Sequence, residues 1–171
     1  DKSGKPTGFA VDILNAIAQH ANLNLSYQIE NSWSAVFDVM DSGLVDAIPN
    51  LGISDKRLAK YDFSTPVEAS PISIFTRQSN SVINRKEDLI GQRVGVVKGN
   101  VAVSLLQKDV RFHSVIYADP QNALFALLSG EVNAIVYPQH VMLDIAKAIN
   151  IENQIKFIAE PIIEVKRAIA I

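Results

Sequence analysis

The 171-residue sequence contains no cysteine, which excludes disulfide frameworks, thiolate zinc sites and cysteine nucleophiles. It also has no apolar run near the roughly 18–20 residues needed to cross a bilayer, so we expect no direct membrane insertion of this segment. Sixteen Lys and Arg against eighteen Asp and Glu give a net charge of −2. Without a basic run there is no electrostatic reason to expect nucleic acid as a partner.

Signatures of catalysis and of cofactor binding are sparse. His20, His113 and His140 are scattered, and no carboxylate stands at metal-ligand spacing, so we interpret them as surface or packing residues. No nucleophile elbow marks a serine triad. The segment Gly91–Gly99 lacks the Gly-Lys-Ser/Thr ending of a phosphate-binding loop. We therefore expect no catalytic residue, no metal and no cofactor, and we do not expect this domain to be an enzyme.

Helical and strand-like patterns alternate along the chain, which predicts an α/β fold with mainly parallel sheets. The predicted helices are Phe9–Ala21, Ser32–Met40, Val101–Gln107, Gln121–Ser129 and Gln139–Ile149. The predicted strands are Leu23–Tyr27, Val45–Pro49, Arg93–Val97, Ser114–Tyr117, Val132–Tyr137 and Gln154–Ile158.

One pattern occurs twice in the chain. The segment Asp41–Ile48 (DSGLVDAI) is echoed by Leu128–Ile135 (LSGEVNAI), and each reads as a helix end, a Ser-Gly stop and a strand. The echo is explained either by convergence on a common helix–glycine–strand connection or by two similar lobes. Two such lobes would form a cleft at the carboxyl ends of their strands, where open α/β sheets usually bind ligands.

A series of motifs follows in a fixed order: Gly8–Ile13, Ser42–Ala47, Ile53–Arg57, Tyr61–Pro66, Lys86–Val96 and Ser129–Ala134. In this order the sequence resembles the family 3 bacterial extracellular solute-binding proteins, which are two-lobed Venus-flytrap domains of the type II periplasmic-binding-protein class. The resemblance implies a first lobe of residues 1–70 plus 168–171 and a second lobe of residues 74–163. It implies hinges near residues 69–73 and 164–167, and it leaves the family's opening strand and closing helices without a counterpart here.

In the first lobe, the resemblance points to Arg57 as the residue that holds a ligand carboxylate, because a guanidinium meets a carboxylate bidentately. The alternative is a solvated residue on a short charged helix. Trp33, the only tryptophan, aligns with the family's aromatic wall, although an isolated tryptophan is also a common packing residue. Asn50 and Gly52 end a strand, where they either bind solute or form a plain turn.

In the second lobe, Lys98, Gly99 and Asn100 lie between a predicted strand and a predicted helix. Free N–H groups at a helix start attract anions, and the family places ligand contacts at this loop. The alternative is a merely structural loop. Tyr137 and Pro138 occupy the equivalent strand end, and we predict them as ligand-binding residues too.

Two positions depart from the pattern of amino acid binders. Gly52 stands where those proteins usually carry a hydroxyl residue, and Pro138 stands near the usual aspartate that pairs with the ligand's amino group. A buried ammonium without an acidic partner costs several kcal/mol. We therefore predict that an ordinary zwitterionic α-amino acid is not the natural ligand or is held by different groups.

The resemblance implies a periplasmic domain, tethered to the inner membrane in some arrangements, that closes on a small polar, carboxylate-bearing solute in an interlobe cleft. The segments Ala47–Asn50 and Ala69–Arg77 resemble the sensor branch of the family, with a histidine kinase or diguanylate cyclase module in the same chain. The alternative is the substrate-binding component of an ABC importer, whose partner is a permease. A remote alternative is an enzyme related to cyclohexadienyl dehydratase, for which we find no acid poised in a cleft.

Overall fold

The computed structural model describes residues 5–171 and divides the chain into two compact units. Unit 1 contains the described residues up to Glu68 together with Lys166–Ile171, and unit 2 is Ala69–Val165. The chain therefore passes between the units twice, at 68/69 and at 165/166. Residues 1–4, with which the predicted first lobe begins, lie outside the described residues. The assignment of hinges near the two crossings stays a prediction.

The secondary structure alternates between helices and strands. The helices are α1 (Phe9–Ala21), α2 (Trp33–Asp41), α3 (Asp55–Leu58), α4 (Val101–Gln107), α5 (Pro120–Ser129) and α6 (Gln139–Ala148), with short 3₁₀ turns at Lys86–Leu89 and Glu152–Gln154. The strands are β1 (Ile48–Gly52), β2 (Glu68–Arg77), β3 (Arg93–Val97), β4 (His113–Tyr117), β5 (Ala134–Pro138), β6 (Ile155–Phe157) and β7 (Ile163–Ala170). The predicted α/β class is confirmed.

In unit 1, β1 pairs antiparallel with β7, with Leu51 opposite Ala168 and Gly52 opposite Arg167. Helix α2 begins where the Ser32 hydroxyl accepts a hydrogen bond from the Ala35 N–H (3.2 Å), and the chain turns at Gly43 with φ +71°. One cluster of buried residues in this unit contains Ile48, Leu51, Tyr61 and Ala170, with Trp33, Val36, Phe37, Met40 and Phe63 packed against it.

Two strand predictions in unit 1 need correction. Leu23–Tyr27 is not a strand, and Leu23 and Leu25 are exposed. Alternation of apolar residues makes a strand only where another strand supplies hydrogen bonds, and within residues 5–171 none pairs with this segment. The predicted strand Val45–Pro49 lies instead at Ile48–Gly52, because its bounds are set by pairing with β7 rather than by the apolar run.

In unit 2, β3 runs parallel to β4 and to β5, whereas β2 runs antiparallel to β5 and to β6. The sheet is therefore mixed. Successive side chains of a strand point to opposite faces of the sheet, so they pack in different buried clusters. Ile74 and Val136 belong to one cluster, and Phe75 and Ile135 belong to the other. In the part of the chain described here, no helix is long and apolar enough to span a membrane.

Candidate ligand-binding site

Arg57 lies in the short helix α3, immediately after β1. Its Nη1 donates a hydrogen bond to the main-chain oxygen of Gly52 (2.7 Å), and its guanidinium carbon lies 5.4 Å from the centroid of the Phe37 ring. Burial lowers the pKa of Arg57, and the charge of Arg167 lowers it further. An arginine so placed still carries its charge at neutral pH, because the guanidinium pKa starts above about 12. The side chain is thus a fixed, partly desolvated cation.

Three aromatic rings form a row beside Arg57. Trp33, the first residue of α2, stacks on Phe37 at 5.8 Å between centroids, and Phe37 stacks on Tyr61 at 6.4 Å. The Tyr61 hydroxyl donates to Asp41 Oδ1 (2.7 Å), and Lys60 forms an ion pair with the same carboxylate, so both partners lower the pKa of Asp41. Trp33 and Arg57 therefore contact the same ring, Phe37, although they are far apart in the sequence.

Asn50 and Gly52 belong to β1 and offer main-chain oxygens to arginine side chains. The main-chain oxygen of Asn50 accepts a hydrogen bond from Arg167 Nη2 (2.7 Å). The side-chain amide nitrogen Nδ2 of Asn50 donates a hydrogen bond to Glu68 Oε1 (2.7 Å). The Asn50 Oδ1 atom is buried and has no hydrogen-bond partner among the described residues. Of the four residues predicted in the first lobe, Arg57, Asn50 and Gly52 come together along β1, and Trp33 joins them through Phe37.

A groove of about 660 Å³ opens in unit 1 between the segment 24–28 and the segment 44–50. Trp33 and Asn50 line it, and Arg57 does not. The groove thus touches the predicted site at two of its residues. We predicted that Arg57 binds the ligand carboxylate, and Arg57 does not line the groove. We therefore do not identify the groove with the solute site.

The residues predicted in the second lobe follow or end two neighbouring strands of unit 2. Strands β3 and β5 run parallel, with Val94 level with Ala134, so Lys98, which follows β3, and Pro138, which ends β5, lie at the same edge of the sheet. The Asn100 side chain caps α4 by accepting a hydrogen bond from the Ala102 N–H (2.9 Å). We predicted that the N–H groups at the start of this helix bind an anion, and this one already has a partner within the protein.

Gly99 has φ +78°, a conformation that favours glycine. The Tyr137 ring is only 4% exposed and packs in the core of unit 2. The ligand roles of Lys98, Gly99, Asn100, Tyr137 and Pro138 stay predictions.

Sequence reasoning missed two residues of the arrangement in unit 1. Arg167 on β7 binds the Asn50 oxygen, and its Nε lies 3.5 Å from Glu68 Oε1. In the sequence, Arg167 is recognisable only as a charged residue that precedes the apolar run Ala168–Ile171. Its position beside β1 follows from the pairing of β7 with β1, which the sequence does not reveal.

Residues 1–135 match the family sequence model of the bacterial extracellular solute-binding proteins, family 3. The chain belongs to this family. The resemblance predicted from the sequence is therefore confirmed.

Among curated family members, the L-cystine-binding protein TcyJ of Escherichia coli K12 is 33% identical over 150 residues, which are 86% of this chain and 56% of TcyJ. The probable amino-acid-binding protein YxeM of Bacillus subtilis is 27% identical over 146 residues, 83% of this chain and 55% of YxeM. The chain thus spans little more than half the length of these relatives.

Solved structures show the same fold. A histidine kinase sensor domain with similarity to periplasmic binding proteins superposes with a TM-score of 0.91 at 25% identity, covering 100% of this chain and 75% of that one. An ancestral arginine-binding protein bound to glutamine superposes with a TM-score of 0.86 at 26% identity, covering 100% of this chain and 76% of that one.

Proposed function

We propose that this domain binds a small carboxylate-bearing solute and that Arg57 holds the carboxylate. The observation that carries the proposal is the position of the Arg57 guanidinium, which is fixed on the Gly52 oxygen and beside the Phe37 ring. A preorganised guanidinium loses little freedom when a carboxylate binds it, which favours affinity. Catalysis is not part of the proposal, and the curated relatives are named as binding proteins.

The solute-binding domain, on this proposal, is extracytoplasmic and senses its ligand for a membrane signalling protein of the histidine kinase or diguanylate cyclase type. The likeness to the histidine kinase sensor domain over the whole chain supports this assignment. Ligand binding would shift the two units toward a closed arrangement, and that population shift would be the signal. Small-angle scattering tests the closure: a saturating ligand should reduce the radius of gyration, and an unchanged radius contradicts it.

The second candidate is the substrate-binding component of an ABC importer. A curated relative supports this candidate: a probable amino-acid ABC transporter-binding protein of Haemophilus influenzae. The two sequences are 36% identical over 94 residues, which are 54% of this chain and 36% of that protein. The sequence flanking this domain in the full-length protein separates the candidates. A transmembrane helix followed by a kinase or cyclase domain supports the sensor, and a stop soon after one further helix supports the importer.

The carboxylate proposal is tested by a thermal-shift screen of amino acids and carboxylates, followed by titrations read from Trp33 fluorescence. Trp33 is the only tryptophan and stacks on the ring that Arg57 contacts, so binding at Arg57 should change its emission. The variant Arg57→Lys should weaken binding by about 10- to 100-fold, since charge-assisted hydrogen bonds contribute about 1.5–3 kcal/mol. Lys56→Gln, an exposed change on the same helix, should leave the affinity unchanged. Equal affinities for wild type and Arg57→Lys would overturn the proposal.

A further inference from the structure

Strand β4 (His113–Tyr117) lies at an open edge of the unit 2 sheet. It pairs in parallel with β3 along all five of its residues, and with no other strand in the part of the chain that the structure describes. The Lys98 N–H donates to the Tyr117 oxygen (2.8 Å), so Tyr117 directs its main-chain groups toward β3. Because these groups alternate in direction along a strand, Ser114 and Ile116 direct their N–H and C=O groups to the open side.

The other strands that pair on one side only have features that protect an edge, and β4 has none of them. Among the described strands, β1 pairs only with β7 and contains Pro49, which has no N–H to donate. Strand β6 pairs only with β2 and has three residues, one of which is Lys156. Proline, lysine and short length are common protection against pairing with another chain. Strand β4 has five residues, HSVIY, without proline, lysine or an acidic residue.

An exposed apolar side chain accompanies this open edge. Ile116 is 48% exposed, on the face of the sheet opposite to Val115 and Tyr117, which pack against a buried cluster. If a second copy of β4 pairs antiparallel along all five residues, Val115 lies opposite Val115 of the copy. Ser114 then exchanges two main-chain hydrogen bonds with Ile116 of the copy, and the symmetric pair does the same. The two Ile116 side chains become diagonal neighbours about 7–8 Å apart, so each reduces the exposure of the other.

Opposite charges flank β4 and favour an antiparallel arrangement of two copies. Arg111 is the first Lys, Arg, Asp or Glu before the strand, and Asp119 is the first after it. An antiparallel pairing centred on Val115 brings Arg111 of each copy toward Asp119 of the other, whereas a parallel pairing brings like charges together. Within its own chain, Arg111 also pairs with Asp109 (2.6 Å), and Asp119 accepts from the Asn122 N–H (2.8 Å). The attraction between copies therefore sets orientation more than affinity.

We propose that β4 is an interaction surface for a second copy of this chain, in which two β4 strands pair antiparallel about Val115 and join two unit 2 sheets. Four main-chain hydrogen bonds link the copies, and Ile116 is covered in each. A five-residue edge is smaller than the roughly 20–30 residues a side of a standard interface, so the dimer is reversible. We expect monomer at about 1 µM and dimer at about 100 µM. The inference does not depend on the proposed role of Arg57.

Single cysteine variants test the dimer and its register, because the chain has no cysteine of its own. The two Val115 residues form a non-hydrogen-bonded pair with Cα atoms about 4.5 Å apart, within the range of a disulfide. Val115→Cys should therefore give a disulfide-linked dimer under mild oxidation at about 100 µM, seen in non-reducing electrophoresis. The control His113→Cys is more exposed, but the two copies of residue 113 lie about 13 Å apart along the strands and should not crosslink.

Sedimentation velocity of the 171-residue chain measures the reversible dimer directly. Ile116→Lys places two like charges next to each other and should raise the dimer dissociation constant at least about tenfold. Val82→Lys introduces the same charge at a valine of unit 2 that is 67% exposed, and it should leave the dissociation constant unchanged. Ser114→Pro removes an outward N–H without disturbing the pairing with β3, and it serves if Ile116→Lys does not fold.

Three results would each overturn the proposal. The first is a wild-type chain that stays monomeric at about 500 µM. The second is an equal loss of dimer in Ile116→Lys and Val82→Lys, which would assign the effect to net charge. The third is a disulfide that forms as readily in His113→Cys as in Val115→Cys, because random collision and a different register both give that result.

Discussion

The hydroxyl of Thr76 provides a test of the packing in unit 2. Thr76 lies on β2 and is 0% exposed, and its Oγ1 is buried without a hydrogen-bond partner among the described residues. A buried hydroxyl that loses its bonds to water and gains none costs about 1–3 kcal/mol. Thr76→Val replaces the hydroxyl with a methyl group of similar shape and suits a strand. We therefore expect the substitution to raise the free energy of unfolding by about 1–2 kcal/mol.

Urea denaturation followed by far-UV circular dichroism measures this change, and thermal unfolding should show a gain of about 2–8 °C for a chain of this size. Thr76→Ser keeps the hydroxyl and loses a buried methyl group, so it should destabilise the protein by about 1 kcal/mol. Thr65→Val, at an exposed position, should change the stability by less than about 0.5 kcal/mol. A loss of stability in Thr76→Val would refute the reasoning, because it would mean that the hydroxyl is satisfied in the folded protein.

Two predictions concern charged side chains of unit 2. Arg77 Nη1 donates hydrogen bonds to the main-chain oxygens of Leu127 in the last turn of α5 (2.5 Å) and of Val132 beyond it (2.9 Å). Arg77→Met should therefore lower the free energy of unfolding by about 2–4 kcal/mol in urea denaturation. The control Arg93→Met, at an exposed position, loses one hydrogen bond of 3.2 Å and should lower the free energy of unfolding by less than about 0.5 kcal/mol, and equal losses in the two variants would contradict the prediction. Arg111 lowers the pKa of Asp109 to about 2, so the stabilisation is present above the ordinary value of 3.8 and is lost as the pH falls toward about 2. An NMR titration of the carboxyl group should show this midpoint and its return toward 3.8 in Arg111→Gln, and an unshifted midpoint in the wild type would contradict the ion pair.

Helices and their ends could be predicted closely because the signals that set them are local. The bounds of α1 and α4 match the prediction, and the glycines predicted to stop two helices, Gly43 and Gly130, both have positive φ. A capping side chain or a glycine acts within one turn of its own position, so the sequence alone contains the necessary information.

Strands in unit 1 were harder to predict because pairing is not local. Segment Leu23–Tyr27 has the right alternation and no partner strand in the described residues, whereas the position of β1 depends on β7, which lies far along the chain. The same limit applies to the candidate site. Arg57 could be proposed from its motif, but Arg167 and Glu68 join it only through the pairing of β1 with β7 and the hydrogen bond to Asn50.

The most direct measurement of the central claim is the side-chain Nε–Hε resonance of Arg57 in ¹⁵N-correlated NMR, assigned by its loss in Arg57→Lys. During a titration with the best-binding carboxylate, the resonance should shift downfield and saturate at the dissociation constant found by calorimetry. A resonance that stays in place while the protein is saturated with ligand would show that the carboxylate binds elsewhere.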